Sequence, residues 1–322
     1  MSVKISVILG TYREPLEWIK DSIESVLNQT FSDFEIILLN DNPESEELRQ
    51  FLYRYSLKDK RIKLINNPEN IGIIGTFNKG IELSKGKYIA RMDADDIALP
   101  NRFEIQYNFM ENNPEVGVCG SFAETFGNKK RILTVPITDR DIRDNIIDRC
   151  PFIHPTVFMR SALFNFSQIR YKDENAEDYG LWIDLQGVTS FYNLNAILLK
   201  YRISNRQVSY KNPRQKIAAQ KVKKRAIQLI FGEKVSEELF NQEMITVKKI
   251  KKIKLLIPEQ ITENARRKFI ENLYLSQSKY TLHAAISYLL QEKNPQFTIF
   301  LKLIKRIIKH QTINSRIDVS TD

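Results

Sequence analysis

Apolar residues form a repeating pattern over the first hundred positions. Short continuous runs rich in Ile, Val and Leu predict buried strands, and segments with apolar residues at helical spacing follow them. The predicted strands are 4–9, 34–39, 62–65 and 88–92. Three helices are predicted: the first begins at Glu14-Pro15, and the other two cover 44–55 and 72–85. Strands and helices that alternate in this way predict parallel βαβ units, and therefore an α/β fold with a mainly parallel sheet flanked by helices.

The rest of the chain shows two other patterns. From about 102 to 201 the pattern is less regular and predicts a helix, short strands and long connections. After Ser209 helical spacing returns, mixed with Lys and Arg, and continues to the last residue. We therefore predict one domain over 1–209, with halves at 1–100 and 101–209, and a basic helical extension over 210–322.

Charge separates this extension from the rest of the chain. The 322 residues carry a net charge of +10. From Tyr210 onwards there are 23 Lys and Arg against 10 Asp and Glu, whereas the first 209 residues carry 26 against 29. Positive charge confined to one part of a chain favours attraction of that part to an anionic surface.

Cysteine content and hydropathy bear on the compartment. The two cysteines, Cys119 and Cys150, are too few for a disulfide framework or a cysteine-based zinc site, so we expect a reducing compartment. The first apolar run is followed by Tyr12, Arg13 and Glu14 instead of a small-residue cleavage site, which favours a strand over a signal peptide. No stretch of about 18 uninterrupted apolar residues occurs, so we predict no spanning helix and a cytoplasmic location.

The densest acidic group, Asp93-Ala94-Asp95-Asp96, directly follows a predicted strand. Three carboxylates in four residues repel one another, and a hard divalent cation such as Mg²⁺ or Mn²⁺ would offset that repulsion while binding a substrate diphosphate. A solvated acidic turn that caps the next helix is the alternative, and on the motif alone it is favoured. Asn40-Asp41-Asn42 ends another predicted strand, and ligands of parallel sheets bind at such strand ends.

Several segments, taken together and in order, resemble the family 2 glycosyltransferases, which have the GT-A fold. The resemblance covers about residues 3–209, and the extension carries none of it. The segments are 7–12, 22–34, 39–42, 70–72, 78–80, 86–96, 100–102, 154–156 and 177–182.

The resemblance implies a nucleotide-sugar site in this domain, with nucleotide binding in 1–100 and the acceptor side in 101–209. It would contain Thr11, Tyr12, Glu14, Asp41, Asn70, Asn78, Asp93, Ala94, Asp95, Asp96, His154 and Arg202. Asp41 would bind the nucleobase, most simply uracil, although without the family context a turn-forming aspartate is the preferred interpretation. Asp95 would contact Mn²⁺ or Mg²⁺ directly, and Asp93 would support the metal or the ribose.

A second acidic pair supplies the catalytic residues that the resemblance implies. Asp178 would be the base that deprotonates the acceptor hydroxyl, and Glu177 would orient it or the acceptor. A helix N-terminus that favours acidic residues is a compatible interpretation of the same pair. His154 is expected to have a supporting role. Ser204 stands where the family often has a histidine, and Arg202 or Arg206 would then bind the diphosphate instead.

The expected function is transfer of a sugar, with inversion, from a UDP-sugar to a glycan or lipid-linked acceptor in surface polysaccharide, lipopolysaccharide or glycoconjugate synthesis. Two alternatives are a catalytically inactive membrane-docked scaffold of the same fold and a nucleotidyltransferase. The short, glycine-poor segment Gly10–Glu14 disfavours the nucleotidyltransferase.

The extension has its own candidate chemistry. Apolar residues between Phe297 and Ile308 fall on one helical face, with Lys and Arg mostly on the other. Such a helix lies in an anionic membrane interface or packs its apolar face on the protein, and the sequence leaves both open. A membrane contact would place the enzyme peripherally on the inner face of the membrane. Nucleic acid is not an expected partner, because no aromatic residues interleave the lysine runs.

Overall fold

The computed structural model describes residues 3–147, 149–165, 168–172, 176–204, 213–241, 245–261 and 263–275. The chain divides into two units, residues 1–222 and 223–322.

The predicted strands of the first hundred residues form the parallel part of one sheet. They are β1 (Ile5–Thr11), β2 (Phe34–Asn40), β3 (Ile62–Asn66) and β4 (Tyr88–Asp93). Strand β1 lies in the middle and pairs in parallel with β2 and β4, while β3 pairs in parallel with β2. Strands β1 and β2 are buried on both faces, which explains their continuous apolar runs.

Three helices connect these strands, as predicted, with ends that differ by a few residues. They are α1 (Leu16–Leu27), α2 (Glu46–Lys58) and α3 (Gly72–Leu83). Helix α2 begins after Ser45, whose hydroxyl accepts a hydrogen bond from the backbone N–H of Leu48. Helix α3 begins at Gly72, which has φ of +70°, a conformation that glycine adopts without strain.

The second half of this unit adds strands of both directions. Its elements are β5 (Ile97–Ala98), α4 (Arg102–Asn112), β6 (Val116–Gly127), β7 (Ile132–Leu133), α5 (Asp139–Asn145), a 3₁₀ turn (His154–Thr156), β8 (Phe158–Arg160), α6 (Ala162–Asn165), α7 (Glu177–Leu185) and β9 (Ser190–Ile203). The described strands form one sheet in the order β3-β2-β1-β4-β8-β6-β9-β5, with β7 on β6.

Two strands of this half are much longer than the short strands that the sequence predicts. Strands β6 and β9 span 12 and 14 residues and pair with each other in parallel, with shifts of register near Phe122. Their residues mix Gly, Ser, Thr and Asn with apolar residues, and no continuous apolar run in either strand is longer than the four residues 196–199. The α/β class and a sheet flanked by helices are confirmed.

The C-terminal unit is helical where it is described. Helix α8 (Pro213–Phe231) leads into it, and α9 (Glu233–Phe240), α10 (Val247–Leu256) and α11 (Glu263–Leu275) follow. Phe231 and Phe269 stack with ring centroids 4.3 Å apart. Among the described helices, none is both long and apolar enough to cross a membrane. The amphipathic segment predicted between Phe297 and Ile308 lies outside the described residues.

Candidate active site

The strand order brings two of the polar strand ends to either side of β1. In the sheet register, Thr11 at the end of β1 lies opposite Asn40 of β2, and Gly10 lies opposite Asp93 of β4. The sequence left open whether the Asp41 and Asp93 segments meet. Because parallel strands end at the same edge of a sheet, both segments stand at one edge beside β1.

Asp41 is buried in a network of hydrogen bonds. Its Oδ1 accepts from Nδ2 of Asn67 at 2.8 Å and from the backbone N–H of Ile71 at 3.0 Å. Its Oδ2 accepts from Nδ2 of Asn70 at 3.1 Å, and Nζ of Lys79 donates to Asn67 at 2.8 Å. These contacts fix the carboxylate, and they leave Oδ2 with capacity for one further donor.

The end of β1 is tied to the same network. Thr11 is buried and its hydroxyl donates to the backbone oxygen of Leu39 at 3.0 Å. The backbone N–H of Tyr12 donates to Glu14 at 2.7 Å, and Asn42 donates to the backbone oxygen of Tyr12. Burial raises the pKa of Glu14, and the charge of nearby Asp93 adds to the rise. Glu14 therefore lies on the same side of the site as the acidic cluster.

Asp93, Asp95 and Asp96 converge. One carboxylate oxygen from each lies within 4.8 Å of the others. The three are not equivalent, because Asp96 is 1% exposed whereas the side chain of Asp93 is 27% exposed. The backbone N–H of Arg202 donates to Asp96 Oδ1 at 2.8 Å, and no described residue donates a hydrogen bond to the buried Oδ2. Ala94, between them, is buried in the core.

The carboxylates of the cluster are partly or fully buried, which disfavours their charged forms. Burial raises the pKa of Asp95 to about 7, and the charges of Asp93 and Glu14 add to the rise. Burial also raises the pKa of Asp96 well above its usual value, with Asp95 and Asp93 as further causes. Oxygen ligands at this spacing, one of them an unpaired buried oxygen, fit a hard divalent cation such as Mg²⁺ or Mn²⁺.

Arg202 anchors this acidic turn. Its Nε donates to the backbone oxygen of Asp95 at 2.7 Å, and its Nη2 lies 3.5 Å from Asp21 Oδ2. The guanidinium lies over the ring of Trp18 at 4.6 Å and that of Phe126 at 4.4 Å. The guanidinium of Arg202 therefore holds the turn that carries the aspartates, through its hydrogen bond and its contacts with the two rings.

The second acidic pair lies at the first turn of α7. The side chain of Asp178 is 27% exposed, and its Oδ2 accepts from the Cys150 thiol at 3.3 Å and lies 3.9 Å from Nδ1 of His154. Its Oδ1 accepts from the backbone N–H of Tyr179 at 2.7 Å. Burial and the neighbouring charge of Asp178 raise the pKa of Glu177.

His154 and Asn78 hold the segment around Tyr171. Nε2 of His154 is 2.8 Å from the hydroxyl of buried Tyr171. The amide of Asn78 bonds the backbone of Tyr171 twice, donating to its oxygen at 2.9 Å and accepting from its N–H at 3.0 Å. His154 thus bonds Tyr171 and lies near Asp178, and its supporting role stays a prediction. The side chain of Asn78 bonds the protein backbone.

Arg91 forms an ion pair with the acidic cluster and was not singled out from the sequence. It is 3% exposed, and its Nη2 pairs with Asp93 Oδ1 at 2.8 Å. Burial alone would lower the pKa of Arg91, but Asp93, Tyr171, Glu177 and Asp178 together raise it. A lone arginine inside an apolar strand, two residues before an aspartate on the same face, is the pattern that would have found it.

Arg102 lies beneath strand β4. It was included in the sequence analysis only in the segment 100–102 and was given no role of its own. It is fully buried, and its Nη2 donates to the backbone oxygen of Arg91 at 2.8 Å. Its Nε donates to Gln106 at 3.0 Å, and burial lowers its pKa to about 10. Arg102 therefore fixes the end of β4 from the core side.

Comparisons with known proteins identify a matching family and several relatives of this chain. The family model described as Glycosyl transferase family 2 matches residues 6–170. An uncharacterised glycosyltransferase of Methanocaldococcus jannaschii is 36% identical over 209 residues, which are 63% of this chain and 71% of that protein. An uncharacterised glycosyltransferase of Haemophilus influenzae is 29% identical over 326 residues, 95% of this chain and 96% of that protein. The amylovoran biosynthesis glycosyltransferase AmsE of Erwinia amylovora is 31% identical over 210 residues, covering 63% and 78%.

Solved structures show the same fold. The S. aureus TarS structure in complex with UDP-GlcNAc has a TM-score of 0.59 at 17% identity, covering 84% of this chain and 89% of that one. The mannosyltransferase PcManGT from Pyrobaculum calidifontis, in complex with GDP-Man and Mn²⁺, has a TM-score of 0.55 at 12% identity, covering 96% and 87%. The GT-A type fold that the resemblance implies is confirmed.

Proposed function

The chain belongs to glycosyl transferase family 2, and from that premise we propose that it transfers a sugar from a nucleotide-sugar, with inversion, to an acceptor hydroxyl. The observation that carries the proposal is the convergence of Asp93, Asp95 and Asp96 at the strand edge that Asp41 shares. A nucleotide held at Asp41 would have its diphosphate directed along the end of β1 towards this cluster.

Asp95 and Asp96 are the residues that we propose to hold a divalent cation, with Asp93 beside them. Mn²⁺ or Mg²⁺ bound there would offset the negative charge of the departing nucleoside diphosphate. The unpaired Oδ2 of Asp96 and the raised pKa of Asp95 support this assignment, because both call for a positive partner. The Mn²⁺ in the PcManGT structure supports it further.

Asp41 is the residue that we propose to bind the nucleobase. Oδ2 retains capacity for one more donor, and a ring N–H supplies one. Uracil is our first choice, supported by the UDP-GlcNAc in the TarS structure, while the GDP-Man of PcManGT makes guanine the base to test beside it. Thr11, Tyr12 and Asn70 line the same edge.

Asp178 is the proposed base. As the acceptor oxygen attacks the anomeric carbon, the bond from that carbon to the diphosphate oxygen breaks, and the hydroxyl proton passes to Asp178. Attack on the face opposite the leaving group inverts the anomeric configuration. The thiol of Cys150 and the ring of His154 hold Oδ2 of Asp178 from the protein side. Glu177 orients the base or the acceptor.

Thermal stability in the presence of UDP, GDP, CDP and dTDP, each with and without Mn²⁺, tests the donor site. A ligand that binds only the native state raises the melting temperature. We expect a rise that requires Mn²⁺ and that is largest with one nucleotide, which names the donor class. If no nucleotide raises it, the inactive scaffold replaces the enzyme as the best proposal.

We also propose that the C-terminal part, 210–322, binds an anionic membrane surface and holds the enzyme at the inner face of the membrane, near lipid-linked acceptors of polysaccharide or glycoconjugate synthesis. The name of AmsE supports such a pathway. Helix α10 offers a basic surface for an electrostatic contact, because Lys248 and Lys251 are exposed, whereas its apolar residues Ile250 and Ile253 are buried in the protein. Leu255, near its end, is 88% exposed.

Vesicle sedimentation tests this contact with the full chain. We expect binding to phosphatidylserine vesicles and none to neutral phosphatidylcholine vesicles. Replacing Lys248 and Lys251 by Glu should weaken it, since each basic residue near such a surface contributes about 1 kcal/mol. Replacing the exposed Lys20 and Lys60 by Glu makes the same change of charge elsewhere and serves as the control. A chain that never sediments with anionic vesicles has no such contact.

A further inference from the structure

A basic loop joins β6 and β7. It covers residues 128–131, and Lys129, Lys130 and Arg131 within it form the only run of three consecutive basic residues within residues 1–209. All three are exposed. They stand in a part of the chain where acidic residues outnumber basic ones by 29 to 26. The basic loop is therefore a local concentration of positive charge in a domain that is otherwise slightly acidic.

The sheet places the basic loop at the edge that carries the acidic cluster. Strand β8 is antiparallel to both β4 and β6, so β4 and β6 run in the same direction, and β9 is parallel to β6. Asp93 is the last residue of β4, and Gly127, directly before the basic loop, is the last residue of β6. The carboxyl ends of β4, β6 and β9 therefore stand at one edge of the sheet.

Contacts through β9 bring the basic loop to the level of the acidic turn. In the register of β6 and β9, Phe126 lies opposite Arg202. The backbone N–H of Arg202 donates to Asp96 Oδ1 at 2.8 Å. One residue further along β9, the backbone oxygen of Ile203 accepts from the N–H of Asn128 at 3.0 Å. The first residue of the basic loop is thus bonded to the neighbour of the residue that bonds Asp96.

Lys130 lies on the face of β6 that meets Arg202. Glu124 and Phe126 are two positions apart on the strand, so their side chains project from the same face. The guanidinium of Arg202 lies 4.4 Å from the ring centroid of Phe126. Nζ of Lys130 is 3.2 Å from Glu124 Oε1, and the side chain of Lys130 is 80% exposed. Such an exposed pair is weak, so Lys130 can exchange Glu124 for an anionic ligand.

Buried Thr125 fixes the backbone of the basic loop. Its hydroxyl donates to the backbone oxygen of Lys129 at 2.8 Å and accepts from the backbone N–H of Arg131 at 2.8 Å. Its own N–H donates to the backbone oxygen of Arg131 at 2.8 Å. A ligand that binds to a fixed backbone orders less of the protein, so less entropy is lost on binding.

The position and chemistry of the basic loop select its ligand. The donor diphosphate is assigned to the cation at Asp95 and Asp96, so the charges of the basic loop remain for a different anion beside that site. Lysine and arginine donate charge-assisted hydrogen bonds, and phosphate oxygens are strong acceptors of them. The other substrate of the transfer is the acceptor.

We propose that the basic loop binds a phosphate group of the acceptor. This inference rests on the proposed transferase function and names the acceptor class, which is a hydroxyl compound that carries phosphate close to the hydroxyl that attacks. The diphosphate of a lipid-linked sugar and the phosphodiester of a polyol polymer share this chemistry. The basic loop takes no part in the bonds that form and break, and it lowers the Kd of the acceptor.

Calorimetric titration tests this binding with the full chain, saturated with Mn²⁺ and the nucleoside diphosphate that stabilises it most, so that the donor site is filled. The probes are pairs that differ by one phosphate group: N-acetylglucosamine 1-phosphate with methyl N-acetylglucosaminide, and glycerol 3-phosphate with glycerol. We expect the phosphorylated member of one pair to have a Kd lower by about tenfold or more, the usual effect of a hydrogen bond to a charged group. The sugar pair represents a lipid-linked acceptor and the glycerol pair a polyol phosphate polymer, so the pair that shows the difference identifies the source.

A loop variant and a matched control assign the effect. Lys130→Gln with Arg131→Gln removes two of the three charges. The control, Arg54→Gln with Lys60→Gln, makes the same changes at exposed positions on and after α2. We expect the loop variant to raise the Kd of the phosphorylated probe by about tenfold and to leave its neutral partner and the control within about twofold. The rise in melting temperature with nucleotide and Mn²⁺ should be the same in all three proteins, which also confirms that they are folded.

Several results would overturn the proposal. One is equal binding of both members of each pair by the wild type, which includes binding of neither. Another is wild-type affinity for the phosphorylated probe in the loop variant. A smaller effect of the nucleotide in that variant would assign the basic loop to the donor diphosphate instead. Unchanged probe binding with loss of sedimentation on phosphatidylserine vesicles would make it a membrane contact.

The nucleotide result separates this failure from that of the function. A wild type that a nucleotide and Mn²⁺ stabilise, but that does not distinguish the probes, keeps the transferase proposal and loses only the acceptor class. A wild type that no nucleotide stabilises removes the function, and the inference about the acceptor falls with it.

Discussion

Nε of Arg202 donates a hydrogen bond to the backbone oxygen of Asp95 at 2.7 Å. This bond ties the last residues of β9 to the turn after β4, more than a hundred positions away in the sequence. The guanidinium is held between Trp18 and Phe126, so its direction is fixed as well. Arg202 thus fixes the backbone of Asp95, one of the proposed cation ligands, without itself being a ligand.

The Arg202→Lys variant should weaken the cation site more than the nucleotide site. A lysine keeps the charge but lacks the planar stacking and the Nε donor. We expect the Mn²⁺ concentration that gives half-maximal stabilisation at fixed UDP to rise about tenfold, the usual effect of losing a residue that orients a metal ligand. The exposed Arg54→Lys is the matched control. A loss of UDP affinity that persists at saturating Mn²⁺ would show instead that Arg202 binds the diphosphate.

Asp95 should make the stability of the metal-free protein depend on pH. Folding raises its pKa from 3.8 to about 7, so the folded state binds the proton more tightly than the unfolded state. The free energy of unfolding therefore falls as pH rises from about 4 to 7 and changes little above, with the stabilisation fully present below pH 4. Asp95→Asn should remove part of this slope and be more stable than the wild type at pH 8 by about 1 kcal/mol, after allowance for solvent screening.

Urea unfolding at pH 5 and pH 8, with and without Mn²⁺, measures this effect. Mn²⁺ should stabilise the wild type more at pH 8 than at pH 5, because the cation competes with the proton for the carboxylate. Asp95→Asn should lose most of that stabilisation. Equal slopes for the two proteins would mean that Asp95 ionises normally in the folded state.

The local pattern of apolar residues was sufficient to predict the strands and helices of the first hundred residues. The runs that form β1 and β2 are continuous and apolar because these strands are buried on both faces, and helical spacing with glycine entry identified α3. The same reasoning failed for β6 and β9. Their strand-forming residues are interrupted by Gly, Ser, Asn and charged residues, and the two strands pair with each other across more than sixty positions, which no local pattern encodes.

The site residues likewise include some whose positions the sequence predicts and others whose contacts it does not. The positions of Asp41, Asp93 and Asp95 relative to strand ends follow from the sequence, because strand ends are local features. The residues that contact these carboxylates and Asp178 do not follow from the sequence. Cys150 meets Asp178 across 28 positions and Asn67 meets Asp41 across 26, through loops whose paths no local pattern encodes. Arg91 is intermediate, since its apolar strand and the nearby Asp93 made a pairing foreseeable.

The two thiols should react slowly in the folded protein. Cys119 is fully buried and burial raises its pKa to about 12, so at pH 8 roughly one thiol in ten thousand is ionised. Burial raises the pKa of Cys150 well above its usual value, and the charge of Asp178 adds to the rise. We expect Ellman's reagent to label both thiols fast in urea and slowly without it. Asp178→Asn should speed labelling of Cys150 and leave Cys119 unchanged, and rapid labelling of Cys150 in the wild type would contradict its contact with Asp178.

Gly80→Ala should destabilise the N-terminal unit where α3 packs on β1. A β-carbon at Gly80 would lie 2.4 Å from Cγ2 of Ile8, so one of the two elements must move. We expect a net loss of about 1–2 kcal/mol, since the gain in helix propensity offsets part of the overpacking. Gly187→Ala is the control, because no atom of any residue beyond its two chain neighbours lies within 4 Å of the added carbon. Chemical denaturation compares the two, and equal stabilities would mean that α3 is not packed this closely.

Asp178→Asn should abolish turnover and spare binding of the nucleotide. Asparagine keeps the shape of the side chain, so the contact with the N–H of Tyr179 and the start of α7 should persist, but it cannot take the acceptor proton. We expect kcat to fall by about 100-fold or more, as is usual when a general base is lost, while Mn²⁺-dependent stabilisation by UDP stays within about threefold. Asp33→Asn, at an exposed position before β2, makes the same chemical change away from the site and should leave both unchanged. Turnover at the wild-type rate in Asp178→Asn would move the search for the base to Glu177, whose raised pKa marks it as the next carboxylate able to hold that proton.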